Sequence, residues 1–562
     1  MATATMPRPE GRHNALAPSP APYNLLCERW LPVQRRDGQR AWINSAQITD
    51  DLTHNPIVAV DWPRADFRMA SMEFLIGLLA TACPPADEEA WLEGWRTPPS
   101  PEMLATAFAP LAQAFNFAGD GPCFAQDFDA ALPGEPDAPE TLLIEAPGGQ
   151  TTRDNKTLFV KAGRAERLSR ATAAIALYTL QTYAPAGGRG NLTSLRGGGP
   201  LTTLVLPGGE PTLWHVLWAN VPKGKPCAAR DLPRVFPWLA ATRTADRYPA
   251  TAPADAHPLQ TYWGMPRRIR LTFADNGNGQ PCALTDTVDT VHVVGWRQRP
   301  NGVKYTSWDH PLSPYYKNSA ASGGGGWLPV HPQPGGIGYQ HWAGLVVGDA
   351  AGTRRPAPVI TAWQSRQLDL PAEVRDARIL AAGYDTDNMK ARGFVESEMP
   401  LPGSGDAAAT RSVAFLAQHL IAAAEETARA LRYAVRDARY PKGTATDSAP
   451  LAAAYESFWQ ATQSGFFRAL RETSPEADAP VERALEHAAP AWLRQLSNAA
   501  LALFDEAAPL DPSAESFDPA RVVQARRQLW FTLHGYGAAG VKLFTALLLT
   551  APQSTKTKRG TS

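Results

Sequence analysis

Cysteine is scarce in this sequence, and the cysteines that are present form no recognisable set. Five of them are scattered over 562 residues, without a CxxC pair and without a cysteine–histidine cluster at the spacing of zinc ligands. A small protein held together by disulfides is therefore excluded. A reducing compartment fits this cysteine usage best.

Long apolar runs are missing as well. The first 22 residues are rich in proline and alanine and contain no apolar core of a signal peptide, and no later stretch is long enough to cross a bilayer. We expect a soluble, cytoplasmic protein that has no membrane partner.

The chain also lacks net charge, since 54 basic residues balance 54 acidic ones. A stand-alone nucleic-acid-binding protein usually carries a basic excess. The charges are unevenly distributed: residues 87–145 hold twelve acids and one base, residues 153–196 eight bases and two acids, and residues 223–304 twelve bases and six acids. Each run alone is typical of a solvated face, but together they indicate a surface that contacts phosphates.

Proline and glycine are dense up to Pro402 and sparse in the alanine- and leucine-rich segments that follow. Because the chain is longer than a single hydrophobic core supports, we expect at least two domains. The predicted fold class is α+β. A large, irregular mixed α/β domain spans residues 23–402, a four-helix bundle spans residues 403–552, and disordered tails occupy residues 1–22 and 553–562.

Within the first domain, short β-type runs alternate with helical patterns. Strands are predicted for residues 201–206, 267–273, 290–296 and 358–363, and helices for residues 66–82 and 166–183. In the second domain, apolar side chains recur every three or four residues between Val413 and Val435. Three further bundle helices are predicted for residues 451–470, 481–504 and 520–549.

A glycine cluster lies within residues 184–200, which read APAGGRGNLTSLRGGGP. Its spacing matches neither the P-loop nor the GxGxxG dinucleotide motif, so a nucleotide-binding enzyme site is not indicated. Glycine permits close approach of the backbone to a phosphate or a groove floor, and it equally permits positive φ angles in an ordinary surface loop. Composition alone does not choose between these interpretations.

Asp385 and Asp387 form a D-x-D pair that could hold a divalent cation in a transferase or nuclease. Glu396 and Glu398 are the only acids close by, and neither an HExxH nor a GxSxG motif occurs. A polar turn, in which the aspartates bond neighbouring amides, is the favoured interpretation. We expect no catalytic site.

Four segments spread along the chain carry more specific motifs. They are NLL with WLPV in residues 24–33, AAIAL with the glycines and LRGG-P-TT in residues 173–203, W-HP-SP in residues 308–314, and GY-DNMK in residues 383–390. Together they resemble the CasA (Cse1) family, the large subunits of type I-E CRISPR Cascade surveillance complexes. With the helical bundle, the resemblance extends over residues 23–549.

The resemblance implies a non-catalytic subunit that recognises the protospacer-adjacent motif (PAM) of double-stranded DNA through the minor groove. Such a subunit wedges the duplex open, so that guide RNA pairs with one strand and an R-loop forms. The implied partners are the other Cascade subunits (backbone, small and guide-RNA 5′-end subunits), the guide RNA, the target DNA and a helicase-nuclease recruited for antiviral defence. No cofactor is expected.

Two other hypotheses compete with this one. The first is a metal-dependent transferase or nuclease that uses Asp385 and Asp387, and the second is a binding-only adaptor of an unrelated nucleoprotein system.

The resemblance also assigns DNA-contacting residues to three elements. The glycine loop against the minor groove corresponds to Ala186, Gly187, Gly188, Arg189 and Gly190. The basic finger corresponds to Arg299, or to a neighbour such as Arg297 if the alignment shifts, and the wedge corresponds to Asn388 and Met389. A further loop with Phe159, Lys161 and Arg164 is expected to face the DNA or the guide RNA.

Some positions depart from the family pattern. Arg299 stands where the family's finger has lysine, which keeps the charge but presents a planar fork, so the PAM preference is expected to differ. Met389 stands where the best-known wedge carries glutamine. An apolar side chain inserted between base steps unstacks DNA, although core packing is an ordinary role for methionine. Some relatives bind zinc through paired cysteines here, whereas Cys282 stands alone, so no metal is expected.

Overall fold

The computed structural model describes residues 21–147, 163–187, 190–318, 326–349, 351–387, 390–402, 407–472, 481–509 and 518–552. The expected terminal tails lie outside these ranges, apart from residues 21 and 22.

The strands of the described chain form five small sheets. They are β1 (Tyr23–Asn24), β2 (Leu31–Arg35), β3 (Arg40–Ile43), β4 (Ile57–Val60), β5 (Asn116–Ala118), β6 (Leu168–Ser169), β7 (Thr202–Leu206), β8 (Arg268–Asp275), β9 (Val291–Arg299), β10 (Tyr315–Lys317), β11 (Trp327–Pro329), β12 (Arg354–Arg355), β13 (Ala377–Asp387) and β14 (Lys390–Leu401). The strand orders are β1-β5, β3-β2-β4, β6-β9-β8, β14-β13-β7 and β11-β10-β12, with antiparallel pairings.

The helices occupy both halves of the chain. They are α1 (Ala65–Ala82), α2 (Glu88–Arg96), α3 (Pro101–Phe108), α4 (Arg170–Tyr183), α5 (Leu213–Ala219), α6 (Leu232–Val235), α7 (Trp342–Val346), α8 (Pro358–Arg366), α9 (Ala372–Arg375), α10 (Ala407–Arg439), α11 (Ala449–Glu472), α12 (Val481–Ala507), α13 (Pro519–Leu533) and α14 (Gly537–Ala546). Short 3-10 helices lie at Ser45–Thr49, Ala109–Phe115, Pro139–Leu142, Ala229–Asp231, Pro237–Leu239, Pro253–Asp255, Pro258–Tyr262, Tyr339–His341 and Gln367–Asp369.

Helix α1 runs through the centre of the first half. Its side chains are buried on nearly every side, unlike those of a surface helix with one apolar face. Phe74 makes edge-to-face contacts, with ring centroids 5.1–5.8 Å apart, to Trp30, Phe115, Phe124, Tyr178 and Trp263. Aromatic pairs in this arrangement add to the stability gained from area burial. Helix α1 is therefore the central element against which the surrounding strands and helices pack.

Most predicted elements of the first half are confirmed. β7, β8 and β9 begin one residue after the strands predicted at residues 201–206, 267–273 and 290–296 and otherwise cover them, and α1 covers the helix predicted at 66–82. The helix predicted from residue 166 begins at Arg170, because Leu168 and Ser169 pair with β9 and the Ser169 hydroxyl caps α4 through the Thr172 amide at 3.2 Å.

The strand predicted for residues 358–363 is wrong, because this segment forms helix α8. Pro358 occupies the first turn, where its missing N–H costs no hydrogen bond. Val359, Ile360 and Trp363 are buried at the spacing of one helical face. The run is too short for the apolar pattern alone to separate strand from helix.

The second half is helical, as predicted. The apolar face between Val413 and Val435 on α10 is buried. The prediction of a single helix over residues 520–549 is wrong, since a short non-helical turn separates α13 from α14. Gly535 and Gly537 adopt φ angles of +84° and +73°, which an α-helix does not accommodate. The described bundle region therefore contains five helices instead of four.

The α+β fold class is confirmed, with mixed elements first and long helices last. The predicted boundary at residue 403 lies in the undescribed stretch between β14 and α10, and the division into domains stays a prediction. Tyr339 connects the halves, because its ring stacks on Phe466 at 4.6 Å and its hydroxyl is 2.8 Å from that of Thr462. Across the described ranges, no helix is long and apolar enough to cross a membrane.

Candidate nucleic-acid interface

The glycine segment, residues 184–200, leaves α4 and returns to β7. The guanidinium of Arg267 closes its neck by donating to the carbonyl oxygens of Pro185 and, at 3.5 Å, Leu192. The amide of Gly187 also donates to the carbonyl of Asn191 at 2.9 Å. Burial lowers the pKa of Arg267 to about 10. The neck is thus held by a partly buried cation that bonds backbone oxygens.

The candidate minor-groove residues fall in sequence between Pro185 and Leu192, the two residues whose carbonyls Arg267 bonds. Ala186 is partly exposed and Gly187 is exposed, whereas Gly188 and Arg189 lie outside the described residues. Gly190 has a φ of +80°, and a Cβ there would lie 2.9 Å from the amide nitrogen of Asn301. The Gly190 carbonyl accepts a hydrogen bond from that amide at 3.0 Å. Glycine is therefore required where the loop contacts the turn that follows β9.

The return of the segment is packed inside the protein. A Cβ on Gly198 would lie 2.8 Å from Cα of Pro185, and one on Gly199 would clash with the carbonyl oxygen of Tyr384 on β13. The Gly199 amide donates to the carbonyl of Tyr183 at 2.7 Å. These glycines serve close packing inside the fold.

Arg196, in the middle of the return, is 2% exposed and forms an ion pair with Glu73 of α1. Its Nη2 donates to both carboxylate oxygens of Glu73, at 2.6 and 2.8 Å. Its Nη1 donates to the hydroxyls of Thr202 and Ser313, each at 3.0 Å. Arg196 therefore faces the core and is not placed to read DNA.

His310, from the W-HP-SP motif, joins the same cluster. Its Nδ1 accepts from the Leu312 amide at 3.1 Å, so the neutral ring carries its proton on Nε2, which is 3.4 Å from Oε1 of Glu73. Burial, reinforced by the charge of Arg196, lowers the pKa of His310 to about 4. Burial alone raises the pKa of Glu73, but the charge and hydrogen bonds of Arg196, together with the contribution of His310, outweigh it and hold that pKa below its usual range. The cluster at neutral pH is one carboxylate, one guanidinium and a neutral imidazole.

The candidate wedge is the hairpin of β13 and β14, whose pairing runs from Ala377 opposite Leu401 to Asp387 opposite Lys390. Asn388 and Met389, which separate the two strands in sequence, lie outside the described residues. The hairpin touches the glycine segment near its end, since a Cβ on Gly199 would come 2.8 Å from the methyl group of Thr386. Strand β13 also pairs with β7, so the hairpin and the strand that follows the glycine segment belong to one sheet.

Asp385 and Asp387 share Arg392 as their partner. Arg392 donates to both oxygens of Asp385, at 3.0 and 2.7 Å, and its Nη1 is 3.7 Å from Asp387. A bidentate guanidinium occupies the positions that a cation would need on Asp385. Within the described ranges, no group of three or more His, Cys, Asp or Glu side chains is arranged to hold a metal.

The candidate finger arginines lie on one face of the β8–β9 ladder. Arg299 pairs with Arg268 and Arg297 with Arg270, so four guanidinium groups share that face. Arg299 lies directly before the Pro300–Asn301 turn that contacts Gly190, which brings the finger candidate beside the glycine loop.

An acidic segment, residues 127–137, covers this arginine face. Asp127 forms an ion pair with Arg268, Asp129 pairs with Arg299 at 3.0 Å, and the Gly134 carbonyl accepts from Arg297 at 2.7 Å. The acidic and basic runs of the sequence therefore meet in the structure. Asp127 is 1% exposed, whereas the side chains of Asp129 and Arg299 are 45% and 34% exposed, so solvent reaches the second pair.

The third predicted site is described only in part. Phe159 and Lys161 lie outside the described residues, and Arg164 is exposed at the end of that loop. Its amide donates to the carboxylate of Glu140 at 3.0 Å.

Sequence reasoning missed Glu73 and Asp129. Glu73 stands alone in the apolar run MEFLIGLLA, and a buried acid always needs a partner, so this isolated carboxylate was a usable signal. For Asp129 the sequence offers no comparable signal, apart from its position in a long acidic run.

Comparison with known proteins identifies a family and solved structures that this chain resembles. A family model for the CRISPR-associated protein Cse1 matches residues 24–503. The crystal structure of Cse1 from Acidimicrobium ferrooxidans has a TM-score of 0.64 at 19% identity, covering 94% of this chain and 99% of that one. Cse1 from Thermobifida fusca gives 0.65 at 18% identity, with the same coverage.

A chain in a structure titled "CRISPR RNA-guided surveillance complex" has a TM-score of 0.60 at 16% identity, covering 92% of this chain and 100% of that one. At such identities these structures show a shared fold. The family match covers most of the chain and agrees with the resemblance carried by the four motif segments. The chain therefore belongs to the CRISPR-associated protein Cse1 family.

Proposed function

We propose that this chain is the large subunit of a type I-E Cascade complex, which recognises the PAM in duplex DNA and opens the duplex for guide-RNA pairing. Its glycine loop (Ala186 to Gly190) faces the minor groove, Arg299 is the finger that enters the groove, and Asn388 with Met389 form the wedge. Family membership supports the assembly, because a related chain lies in a structure titled as a surveillance complex.

The observation that carries the DNA-binding proposal is that the glycine segment touches both other elements. Gly190 bonds the turn that follows Arg299, and Gly199 packs against Tyr384 and Thr386 of the hairpin. The three elements that the family pattern names are far apart in sequence, yet the glycine segment contacts both of the others. A chance surface loop has no reason to contact both.

The chemistry of these elements suits a minor groove. That groove is about 6 Å wide and offers a degenerate hydrogen-bonding pattern, so a backbone without side chains approaches where bulky residues cannot. Arginine is favoured in narrow minor grooves because of their negative potential. The result is coarse readout by the protein, with sequence discrimination left to the guide RNA.

The remaining roles follow from the same proposal. The helical bundle contacts neighbouring Cascade subunits, and a separate helicase-nuclease is recruited after the duplex opens. The chain itself is non-catalytic and works in the cytoplasm. The pairing of Asp385 with Arg392 argues against the metal-dependent alternative.

The test uses assembled complexes that carry either Ala186→Asp or the double change Asn388→Ala with Met389→Ala. We expect binding to a PAM-bearing duplex to weaken about tenfold or more, the effect of losing about 1.4 kcal/mol, because a carboxylate enters the groove or the wedge is lost. Binding to the same target with a pre-opened bubble is expected to change little.

Ala445→Asp is the matched control, since it adds the same charge to an exposed bundle loop. Equal losses on duplex and bubble, or no loss on either, would contradict the proposal.

A further inference from the structure

One carboxylate bonds the residues that flank the glycine segment on either side and an arginine within it. Oε2 of Glu73 accepts from the hydroxyl of Tyr183 at 2.9 Å, from Nη2 of Arg196 at 2.8 Å and from the hydroxyl of Thr202 at 3.3 Å. Tyr183 is the last residue of α4, and Thr202 is the first residue of β7. Glu73 therefore bonds both residues that bracket the loop and the arginine within it.

The two bracketing hydroxyls also lie within hydrogen-bonding distance of each other, and because each has a single proton, a bond between them takes the place of one of their two bonds to Glu73. The Tyr183 and Thr202 hydroxyls are 3.0 Å apart, and the Arg196 guanidinium reaches Thr202 at 3.0 Å. Glu73, Tyr183, Arg196 and Thr202 are all at most 2% exposed. Because water does not compete for these hydrogen bonds, the spacing between the two ends of the loop is fixed by the cluster.

The residue at the centre of the cluster, Glu73, lies on the buried central helix. Glu73 precedes Phe74, the aromatic hub of α1, and its own helix is buried on nearly every side. The W-HP-SP segment adds a second support, since Ser313 accepts from Arg196 and donates to the Leu201 carbonyl, at 3.0 Å each. Helix α1, the glycine segment with its flanking residues, and the W-HP-SP segment are thus joined by hydrogen bonds at the base of the loop.

We propose that Glu73 is a positioning residue for DNA recognition, which presents the glycine loop to the minor groove by fixing its two ends. The inference rests on the proposed function, and it assigns the LRGG and HP-SP motifs to loop presentation instead of DNA contact. None of these side chains touches DNA, so their effect reaches it through the placement of Ala186 to Gly190.

Removing one tether at a time tests this without breaking the ion pair. Tyr183→Phe deletes the hydroxyl that ties the start of the loop, and Thr202→Val deletes the one that ties its end. In assembled complexes, each is expected to weaken binding to a PAM-bearing duplex about three- to tenfold, the range for one lost hydrogen bond. Complex assembly and binding to a pre-opened bubble are expected to stay unchanged.

Each variant has a matched control nearby. Tyr178→Phe removes a buried hydroxyl on the same helix, which bonds the Tyr262 carbonyl at 3.0 Å. Thr203→Val makes the same change on the next residue of β7, whose hydroxyl bonds the Leu312 carbonyl at 3.2 Å. If the controls weaken duplex binding as much as the test variants, the cluster acts through general stability and the inference is overturned.

Hydrogen exchange of the assembled complex gives a readout that needs no DNA. Amides of residues 186–192 are expected to exchange faster in Tyr183→Phe and Thr202→Val than in the two controls. Unchanged exchange in the test variants would overturn the inference. If the tether variants loosen the loop while Ala186→Asp leaves duplex binding intact, the positioning holds structurally and the proposed DNA-binding role is what fails.

Discussion

Two clusters of opposite charges lie near the glycine loop, and they use their charges differently. In the first, Glu73 and Arg196 are buried and bonded to each other and to neighbouring hydroxyls. In the second, Arg299 and Asp129 pair at the surface, where solvent reaches both. The charges of the first cluster hold the fold around the glycine loop, whereas the second cluster leaves an arginine accessible to a polyanion.

The difference shows why counting charges along the sequence is a poor guide to a binding surface. Arg196 and Arg299 both belong to basic runs that indicate phosphate contact, yet only Arg299 is accessible. A buried pair that loses one partner leaves an uncompensated charge, while an exposed pair exchanges partners at little cost. Substitutions in the buried cluster should therefore lower the free energy of unfolding strongly, whereas those in the exposed cluster should mainly change DNA affinity.

The largest effect is expected from Glu73→Gln. This change leaves Arg196 buried without a counter-charge, so the free energy of unfolding should fall by about 3–5 kcal/mol. Denaturant unfolding of the isolated chain measures it. The exposed counterpart Asp129→Asn should cost about 1 kcal/mol or less. Similar costs for the two changes would contradict the distinction between the clusters.

The next effect concerns pH. The pKa of His310 is lowered to about 4, against about 6.5 in an unfolded chain. Above pH 6.5 both states are neutral, and as the pH falls from 6.5 to about 4 the unfolded state takes up a proton that the folded state refuses. The free energy of unfolding therefore falls by up to about 1.4 kcal/mol per pH unit in this window.

The lowered pKa of Glu73 acts in a lower range. Its stabilising contribution is complete above the unfolded value and is lost progressively as the pH falls from that value through the folded pKa. Replacing His310 by Asn keeps an acceptor for the Leu312 amide and removes the titration, so the slope between pH 6 and 4.5 should decrease. His487→Asn, at an exposed position on α12, is the control and should leave the slope unchanged.

The smallest effects concern the exposed pair. Arg299→Ala should weaken duplex binding and reduce the salt dependence by about one phosphate contact, and Arg297→Ala should do less. Asp129→Asn frees the arginine and should strengthen duplex binding up to about fivefold, since an exposed pair is worth about 1 kcal/mol or less. Electrophoretic mobility assays over a range of salt concentrations measure both.

A double mutant separates pairing from general repulsion. In an Arg299→Ala background, Asp129→Asn should have no further effect on affinity. Asp505→Asn disrupts a comparably exposed pair with Arg526 in the bundle and should leave DNA binding unchanged. A gain from Asp129→Asn that persists without Arg299 would show that the carboxylate acts on DNA and not on the arginine.

Periodicity predicted the long helices well, because their apolar faces repeat over many turns. The face from Val413 to Val435 is an example. It failed at residues 358–363, where one turn of helix and a buried strand have similar patterns, and at Gly535, whose positive φ depends on its surroundings.

The site was predictable only in outline. Motifs located the glycine segment and the hairpin, but the network on Glu73 depends on contacts between residues more than one hundred positions apart. No local pattern encodes such contacts. An isolated acid in an apolar helix signals that a partner exists, without saying which of the arginines it is.

The hairpin has a further consequence for how this protein would meet a polyanion. Asp385 and Asp387 are matched by Arg392 and Lys390, so the described end of the hairpin carries no net charge. A neutral tip neither gathers counterions nor displaces them, so its approach to a duplex should respond weakly to ionic strength. Ionic strength would then change how tightly the proposed finger arginine binds DNA, whereas the action of the proposed wedge would depend on its shape.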